Sequence, residues 1–302
     1  MRLEKSGTGD SQGPPCMTVD LLTEMRSYEV ALTALARDSH VDSNRIYLFG
    51  HSIGSLMAPR IANNGKIAGV IVAEAVGRNW IEYELWNLRR QLVLDGEPPA
   101  QVDKLLAMKE ICMHRLLVEK QSESEIEQTQ PECKAHNVYP APAAYMQEAA
   151  AMNIAEPWTK LHLPLLVIYG NADFITAEAD HRGIAGIVNA AHPGTATLKV
   201  VVGMDHHLDV AATPQQVFDL RVKEHRPLPY DDKLGTTGAR LALSTRAMQH
   251  TLSSDRVENA LKWPSCPLVV SSPHRNICRN GLAVPAPHKR PAQLGASHAY
   301  LH

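Results

Sequence analysis

The stretch RIYLFGHSIGSLMAPRIA, from Arg45 to Ala62, joins a β-rich apolar run to a helical one through Gly50-His51-Ser52-Ile53-Gly54. The run ending at Gly50 predicts a buried strand, and residues from Ile53 to about Ala62 predict a helix. A glycine-x-serine-x-glycine turn in this setting holds the serine hydroxyl above a sheet edge, with small neighbours leaving room for the tight bend. The same five-residue pattern occurs at Gly9-Asp10-Ser11-Gln12-Gly13. A chain of this size meets the pattern by chance roughly one time in ten, so context has to choose. Ser11 is followed by Gln12-Gly13-Pro14-Pro15, which cannot open a helix, and GTGDSQGPP reads as a loop. Ser52 has a strand before it and a helix after it, whose N–H groups and dipole favour developing negative charge. Ser52 is the candidate nucleophile.

Working outward, Leu21, Met25, Tyr28, Leu32 and Leu35 recur at helical steps between Thr18 and Arg37, with Thr18 as the expected N-cap. IAGVIVAEAV, from Ile67 to Val76, reads as the next buried strand. The alternation indicates an α/β domain with a parallel sheet. Between Gly77 and about Trp158 the strand signal stops. Ile81, Leu85, Leu88 and Leu92 form one helical stripe, and Val102, Leu105, Lys109 and Leu116 a weaker one. ESEIEQTQPEC is acidic and reads as solvated. Strands return at Pro164–Gly170 and Thr197–Gly203, with a helix near Glu178 to Ala191 between them and a last helix from about Pro214. The expected organisation is a core of residues 1–76 and 159–234, a helical lid insertion at 77–158, and an irregular tail at 235–302, where PLVV is the only sustained apolar cluster.

The 302 residues carry a formal charge of −2, which gives no reason to expect nucleic acid or an anionic membrane as partner. No apolar run approaches the roughly 20 residues of a membrane span. Five scattered cysteines without metal spacing suggest reduced or incidental thiols. The start has no signal-peptide core, so the expected location is cytoplasmic, unless a preceding segment carries a secretion signal.

A serine hydroxyl attacks well only when a base takes its proton and a third group orients that base. Asp173 lies just past the strand PLLVIYG, and His206 just past TLKVVVG, at the carboxyl ends where open α/β sheets place ligands. The order Ser52, Asp173, His206 is the one expected on such a sheet. Other readings stay open. Asp173 is also a plausible turn or cap residue, and His207 competes with His206 or stacks on the lid. Asp205 would shape the histidine loop, while Asp180, His181 and His192 read as surface residues.

With Gly50–Gly54, YGNAD (Tyr169–Asp173) and GMDHH (Gly203–His207) in this order, the chain resembles the α/β-hydrolase superfamily. It is most similar to bacterial esterase and serine-peptidase-like members, whose early loop reads much like EKSGTGDSQGPP. The resemblance covers about Arg2 to Leu220. It implies Ser52 as nucleophile, His206 as base and acid, Asp173 as orienting acid, and the Ile53 N–H as one oxyanion-hole donor. It also implies that EKSGTGDSQG follows the family's fourth strand. The first three strands and the loop supplying the second oxyanion donor are then missing, and an N-terminally truncated hydrolase with an open central strand edge is expected. One lost oxyanion donor costs roughly 10²–10³ in turnover.

The expected function is a serine hydrolase acting on a small-molecule carboxylic ester, or a peptide or amide, through an acyl-enzyme. No cofactor and no metal is expected, and the oligomeric state is left open. His51, Trp80 and Trp86 are the candidate substrate-binding residues, beside Tyr83, Arg89 and Arg90. The insertion's aromatics read equally as core anchors of lid helices. The alternative is a catalytically impaired scaffold with only a binding role.

Overall fold

The computed structural model describes residues 3–229 and 268–270. Five parallel strands form one sheet in the order β4-β3-β2-β1-β5. They are β1 (Tyr47–His51), β2 (Gly69–Ala73), β3 (Leu165–Gly170), β4 (Ala196–Val201) and β5 (Leu268–Val270). Strands β2 and β3 are buried along their whole length, which is why they read as unbroken apolar runs. Leu48, Val70, Val72, Leu165 and Val167 face the main core. Ile71, Ala73, Leu166 and Ile168 face a second, smaller one with Met204. Each fully buried valine, leucine or isoleucine among them contributes about 1.5–3 kcal/mol.

The helices of the α/β layer are α1 (Leu21–Arg37), α2 (Gly54–Asn64), α9 (Glu178–Ala191) and α10 (Pro214–Phe218). Helix α1 starts later than Thr18, which sits in a 3-10 turn at Cys16–Thr18. Its N-cap is Asp20, whose side chain accepts the Thr23 N–H at 2.6 Å. Between β2 and β3 lie α3 (Trp80–Asp95), α4 (Pro99–Met113), α5 (Glu123–Thr129), α6 (Cys133–His136), α7 (Ala143–Ala151) and α8 (Ala155–Thr159). The acidic stretch expected to be merely solvated forms α5, started by a Ser122/Glu125 capping box and anchored by buried Ile126.

Lys109 lies on the buried face of α4 and pairs with Glu84 of α3 at 3.2 Å. Cys112 and Cys133, both fully buried, are joined in a disulfide that ties α4 to α6. This corrects the reading of the cysteines as unpaired. The two sulfurs lie 21 residues apart in sequence, and only the packing of the two helices brings them together.

Strand β5 corrects a second expectation. Leu268, Val269 and Val270 pair with Leu48, Phe49 and Gly50, so the β1 edge expected to stand open is covered along these residues by part of PLVV. The rest of the expected irregular tail, 235–267 and 271–302, lies outside the described residues. Among the described residues no helix is long and apolar enough to cross a membrane.

Candidate active site

The carboxyl ends of β1 to β4 lie side by side, and each delivers a polar side chain to one place. At the end of β1 the chain turns through Ser52 with φ 52°, a left-handed conformation that costs a non-glycine residue about 1–2 kcal/mol. The turn is held by the Ser52 N–H, which donates to the Ala73 carbonyl on β2 at 3.0 Å. Gly50 lets α2 close over it: a Cβ there would stand 2.8 Å from the Gly54 carbonyl oxygen.

Asp173 sits three residues past β3, and it is buried. Its Oδ1 accepts the N–H groups of Ile175 at 2.6 Å and Thr176 at 3.1 Å, and its Oδ2 accepts the Thr176 hydroxyl. Arg90 on α3 braces this loop from outside, donating to the carbonyls of Phe174 and Ile175.

His206 follows β4 on a loop that Asp205 organises. The Asp205 carboxylate accepts the N–H groups of His207 and Asp209, each at 2.8 Å, and Arg221 Nε at 3.0 Å. The His206 ring is fully buried. Its Nδ1 is 2.9 Å from Asp173 Oδ2 and its Nε2 is 3.1 Å from Ser52 Oγ. An ionised carboxylate has no proton to give, so Nδ1 carries the hydrogen and Nε2 presents its lone pair to the serine hydroxyl. Burial opposes ionisation of Asp173. The charge and hydrogen bond of His206, with hydrogen bonds from Glu74 and Thr176, outweigh it and hold the carboxyl below the usual carboxylate range.

His51 is buried, and its Nε2 donates to the His206 carbonyl at 2.7 Å, with the two rings 5.1 Å apart. Burial, then the neighbouring His206 charge, pushes its pKa down to about 3, so the ring stays neutral. His207 is also held neutral, by burial first, and its N–H is tied to Asp205. Ser11 lies apart from this cluster, its hydroxyl donating to the Glu4 carbonyl at 3.1 Å.

Trp80 and Tyr83 are buried in the main core with their rings 5.0 Å apart. Trp86 is about half exposed beneath the Arg78 guanidinium, and Arg89 pairs with Asp103 at 3.6 Å. Two residues expected at the surface are buried. His181 fills the space beside β2, where its Nε2 accepts the Ala75 N–H at 2.7 Å and its Nδ1 donates to the Ala177 carbonyl. Asp180 pairs with Arg78. His192, also expected at the surface, is half-buried against the His162 ring, with its Nε2 2.9 Å from the Thr159 carbonyl.

One acid at the cluster is not singled out by the sequence pattern. Glu74, immediately after β2, is completely buried and has ligand atoms within 4.8 Å of those of Asp173 and His206. Its signal was an acid inside the apolar run IAGVIVAEAV. These three are metal-ligating residue types, but both ring nitrogens of His206 are already engaged, by Asp173 and Ser52.

The family model described as serine aminopeptidase, S33, matches residues 1–209. Esterase EstD of Thermotoga maritima is 27% identical over 145 residues, which is 47% of this chain and 30% of the esterase. The match thus spans less than a third of that relative's length. Among solved structures, an esterase of Pyrococcus furiosus has a TM-score of 0.43 at 14% identity, over 81% of this chain and 68% of its own. A thermostable carboxyl esterase of Bacillus coagulans has a TM-score of 0.37 at 18% identity, over 60% and 63%. A monoacylglycerol lipase of Paleococcus ferrophilus has a TM-score of 0.37 at 16% identity, over 66% and 71%.

Proposed function

The chain belongs to the serine aminopeptidase S33 family within the α/β hydrolases, and from that premise we propose that it is a serine hydrolase acting on a small-molecule carboxylic ester. The observation that carries the reading is the His206 ring bridging Ser52 and Asp173. Ser52 Oγ attacks the ester carbonyl as its proton passes to His206 Nε2, and Asp173 stabilises the imidazolium that results. The oxyanion forms at the N-terminus of α2, where the Ile53 N–H and the helix dipole offset its charge. His206 then protonates the leaving alcohol. A water, deprotonated by the same ring, releases the acid from Ser52.

The helical segment 77–158 is proposed to cap the strand ends of a core formed by residues 1–76 and 159–234. Trp80 and Trp86 would line the acyl pocket from that cap, and His51 would hold the His206 loop beneath it. The ester rather than the amide is favoured because the curated relative is named an esterase. The Cys112–Cys133 bridge favours an oxidising compartment over the cytoplasmic one expected from the sequence. Alkylation mass shifts on the natural protein, with and without reduction, decide between them.

A fluorophosphonate probe tests the chemistry. Label is expected on the wild type and on Ser11→Ala, and is expected to vanish in Ser52→Ala. Retention in Ser52→Ala overturns the assignment, and a folded chain that takes no label favours the binding-scaffold reading. Short p-nitrophenyl esters against aminoacyl anilides then separate ester from peptide substrates, with faster turnover of the esters expected.

A further inference from the structure

We propose that Glu74 is a positioning residue of this site, an un-ionised carboxylic acid whose hydroxyl donates into the Asp173–Thr176 pair and so fixes the acid that orients His206. The proposal rests on the reading of Ser52, His206 and Asp173 as the reacting set.

Strand β2 lies between the strand that carries Ser52 and the strand that leads to Asp173, so the residue just past its end stands behind both. That residue is Glu74, with left-handed φ 48° and no exposed surface. Its Oε1 accepts the Gly170 N–H at 2.7 Å. The seat is closed by backbone, because a Cβ on Gly170 would stand 2.9 Å from Glu74 Oε1 and 2.2 Å from the Met204 carbonyl oxygen.

Counting protons decides which acid is charged. Thr176 Oγ1 has one hydrogen, and it goes to Asp173 Oδ2, the far nearer of its two carboxylate neighbours. Glu74 Oε2 lies 3.5 Å from the same hydroxyl, so a hydrogen in that contact comes from Glu74. Two buried carboxyls this close cannot both ionise. Asp173 collects four donors: the Ile175 and Thr176 N–H groups, the Thr176 hydroxyl and His206 Nδ1. Among the described residues Glu74 collects the Gly170 N–H, with the Thr176 hydroxyl, already given to Asp173, at 3.5 Å. The charge therefore sits on Asp173 and the proton on Glu74.

The surroundings agree. Burial first, then the Asp173 charge and hydrogen bond, raise Glu74 well above the usual carboxylate range, and the more distant Asp205 adds to this. The other titratable groups around it are His206, Tyr169 on β3 and the His181 ring on α9, which is bonded to the next residue's N–H. A neutral Glu74 spares His206 a second negative charge behind Asp173, which would tighten the proton on the ring and slow its transfer.

The test compares Glu74→Leu with Glu74→Gln. The leucine variant leaves the Gly170 N–H and the Asp173–Thr176 pair short of a partner. It is expected to lose roughly five- to a hundred-fold in kcat with KM little changed. Glutamine supplies an amide donor and a carbonyl acceptor of the same shape. It is expected to recover most of that loss and to leave the acid limb of the pH–rate profile where it stands in wild type. In protein labelled with ¹³C at glutamate carboxyls, one resonance should remain at the protonated position at neutral pH and disappear in Glu74→Gln. An acid limb displaced downward by about a unit in Glu74→Gln would mean that Glu74 is ionised, and overturns the proposal. So does the absence of a protonated resonance, or full turnover in a folded Glu74→Leu. The resonance reads Glu74 alone, so it stands or falls separately from labelling at Ser52.

Discussion

Ser52 and Glu74 share the same left-handed backbone, φ 52° and 48°, each one residue past the paired strand ends His51 and Ala73. The two turns lie side by side, and the Ser52 N–H reaches across to the Ala73 carbonyl. Strain of this kind persists only where the surroundings force it. Glycine adopts the conformation freely, so Ser52→Gly should melt above Ser52→Ala although both lose the serine hydroxyl. The relief of about 1–2 kcal/mol exceeds the roughly 0.4–1 kcal/mol that glycine's freer unfolded chain takes away. Thermal denaturation of the two variants checks the order.

Asp173→Asn tests the tautomer. The Asp173 Oδ1 position accepts two backbone N–H groups, so an asparagine must place its carbonyl there and turn its NH₂ toward His206. His206 Nδ1 then has to accept, which moves the ring hydrogen to Nε2 and leaves nothing to take the Ser52 proton. A loss in kcat of roughly 10⁴ is expected with KM little changed. Steady-state kinetics on a short ester measures it.

His51 makes the fold acid-sensitive. Its pKa is near 3 in the folded protein and about 6.5 in the unfolded chain. The unfolded state therefore binds the extra proton over that interval. The stability of the neutral ring is complete above about pH 6.5 and is lost as pH falls toward 3. Glutamine can still donate to the His206 carbonyl but does not titrate. His51→Gln should unfold in urea much like wild type at neutral pH and resist better near pH 4, by on the order of 3 kcal/mol.

Glu74 gives the opposite slope. Its folded pKa is raised, so wild type loses stability as pH rises above the unfolded value of about 4.3. Urea titrations should show Glu74→Gln gaining on wild type from about pH 4 toward neutrality. A constant difference across that range would show that the carboxyl titrates alike in both states.

The parts of this arrangement that are legible in sequence are those encoded locally. The apolar runs at β1 to β4 and the helix from Glu178 to Ala191 can be read from period and composition. From the strand ends, Ser52, Asp173 and His206 can be named, and their side chains meet. What is not legible depends on which face meets which neighbour. Asp180 and His181 read as surface residues because the partners that bury them, Arg78 and Ala75, lie about a hundred positions away. Thr18 and Asp20 are both competent caps, and the 3-10 turn at Cys16–Thr18 selects the second. Glu74 is hidden because the apolar run reads as one strand through Val76, and only the pairing that ends β2 at Ala73 puts Glu74 in the turn beside Asp173 and His206.

Lys109 falls in the apolar stripe of α4, and its partners account for its burial. It pairs with Glu84, donates to the His136 carbonyl at 2.8 Å and lies 4.7 Å from the centre of the Tyr139 ring. One charge thereby joins α3, α4 and α6. Lys109→Met removes the cation beside the buried Glu84 carboxylate and should cost about 3–5 kcal/mol in chemical denaturation. Adding Glu84→Gln removes the uncompensated charge and should recover part of the loss. Additive losses would show that the two side chains act independently.

Strand β5 sits where an exposed edge would otherwise run beside the strand that carries Ser52. Val269 faces Phe49 across the ladder, and a proline there removes an N–H and its fixed φ resists the strand geometry. Val269→Pro should therefore speed amide exchange at Leu48, Phe49 and Gly50 and increase aggregation, since an unpaired edge templates other chains. Val269→Ala keeps the backbone donor and should leave both unchanged. Because Gly50 leads straight into the Ser52 turn, loosening its ladder should also slow fluorophosphonate labelling of Ser52 in Val269→Pro. Exchange at these three amides that is already fast in wild type would mean that β5 does not hold this edge in solution.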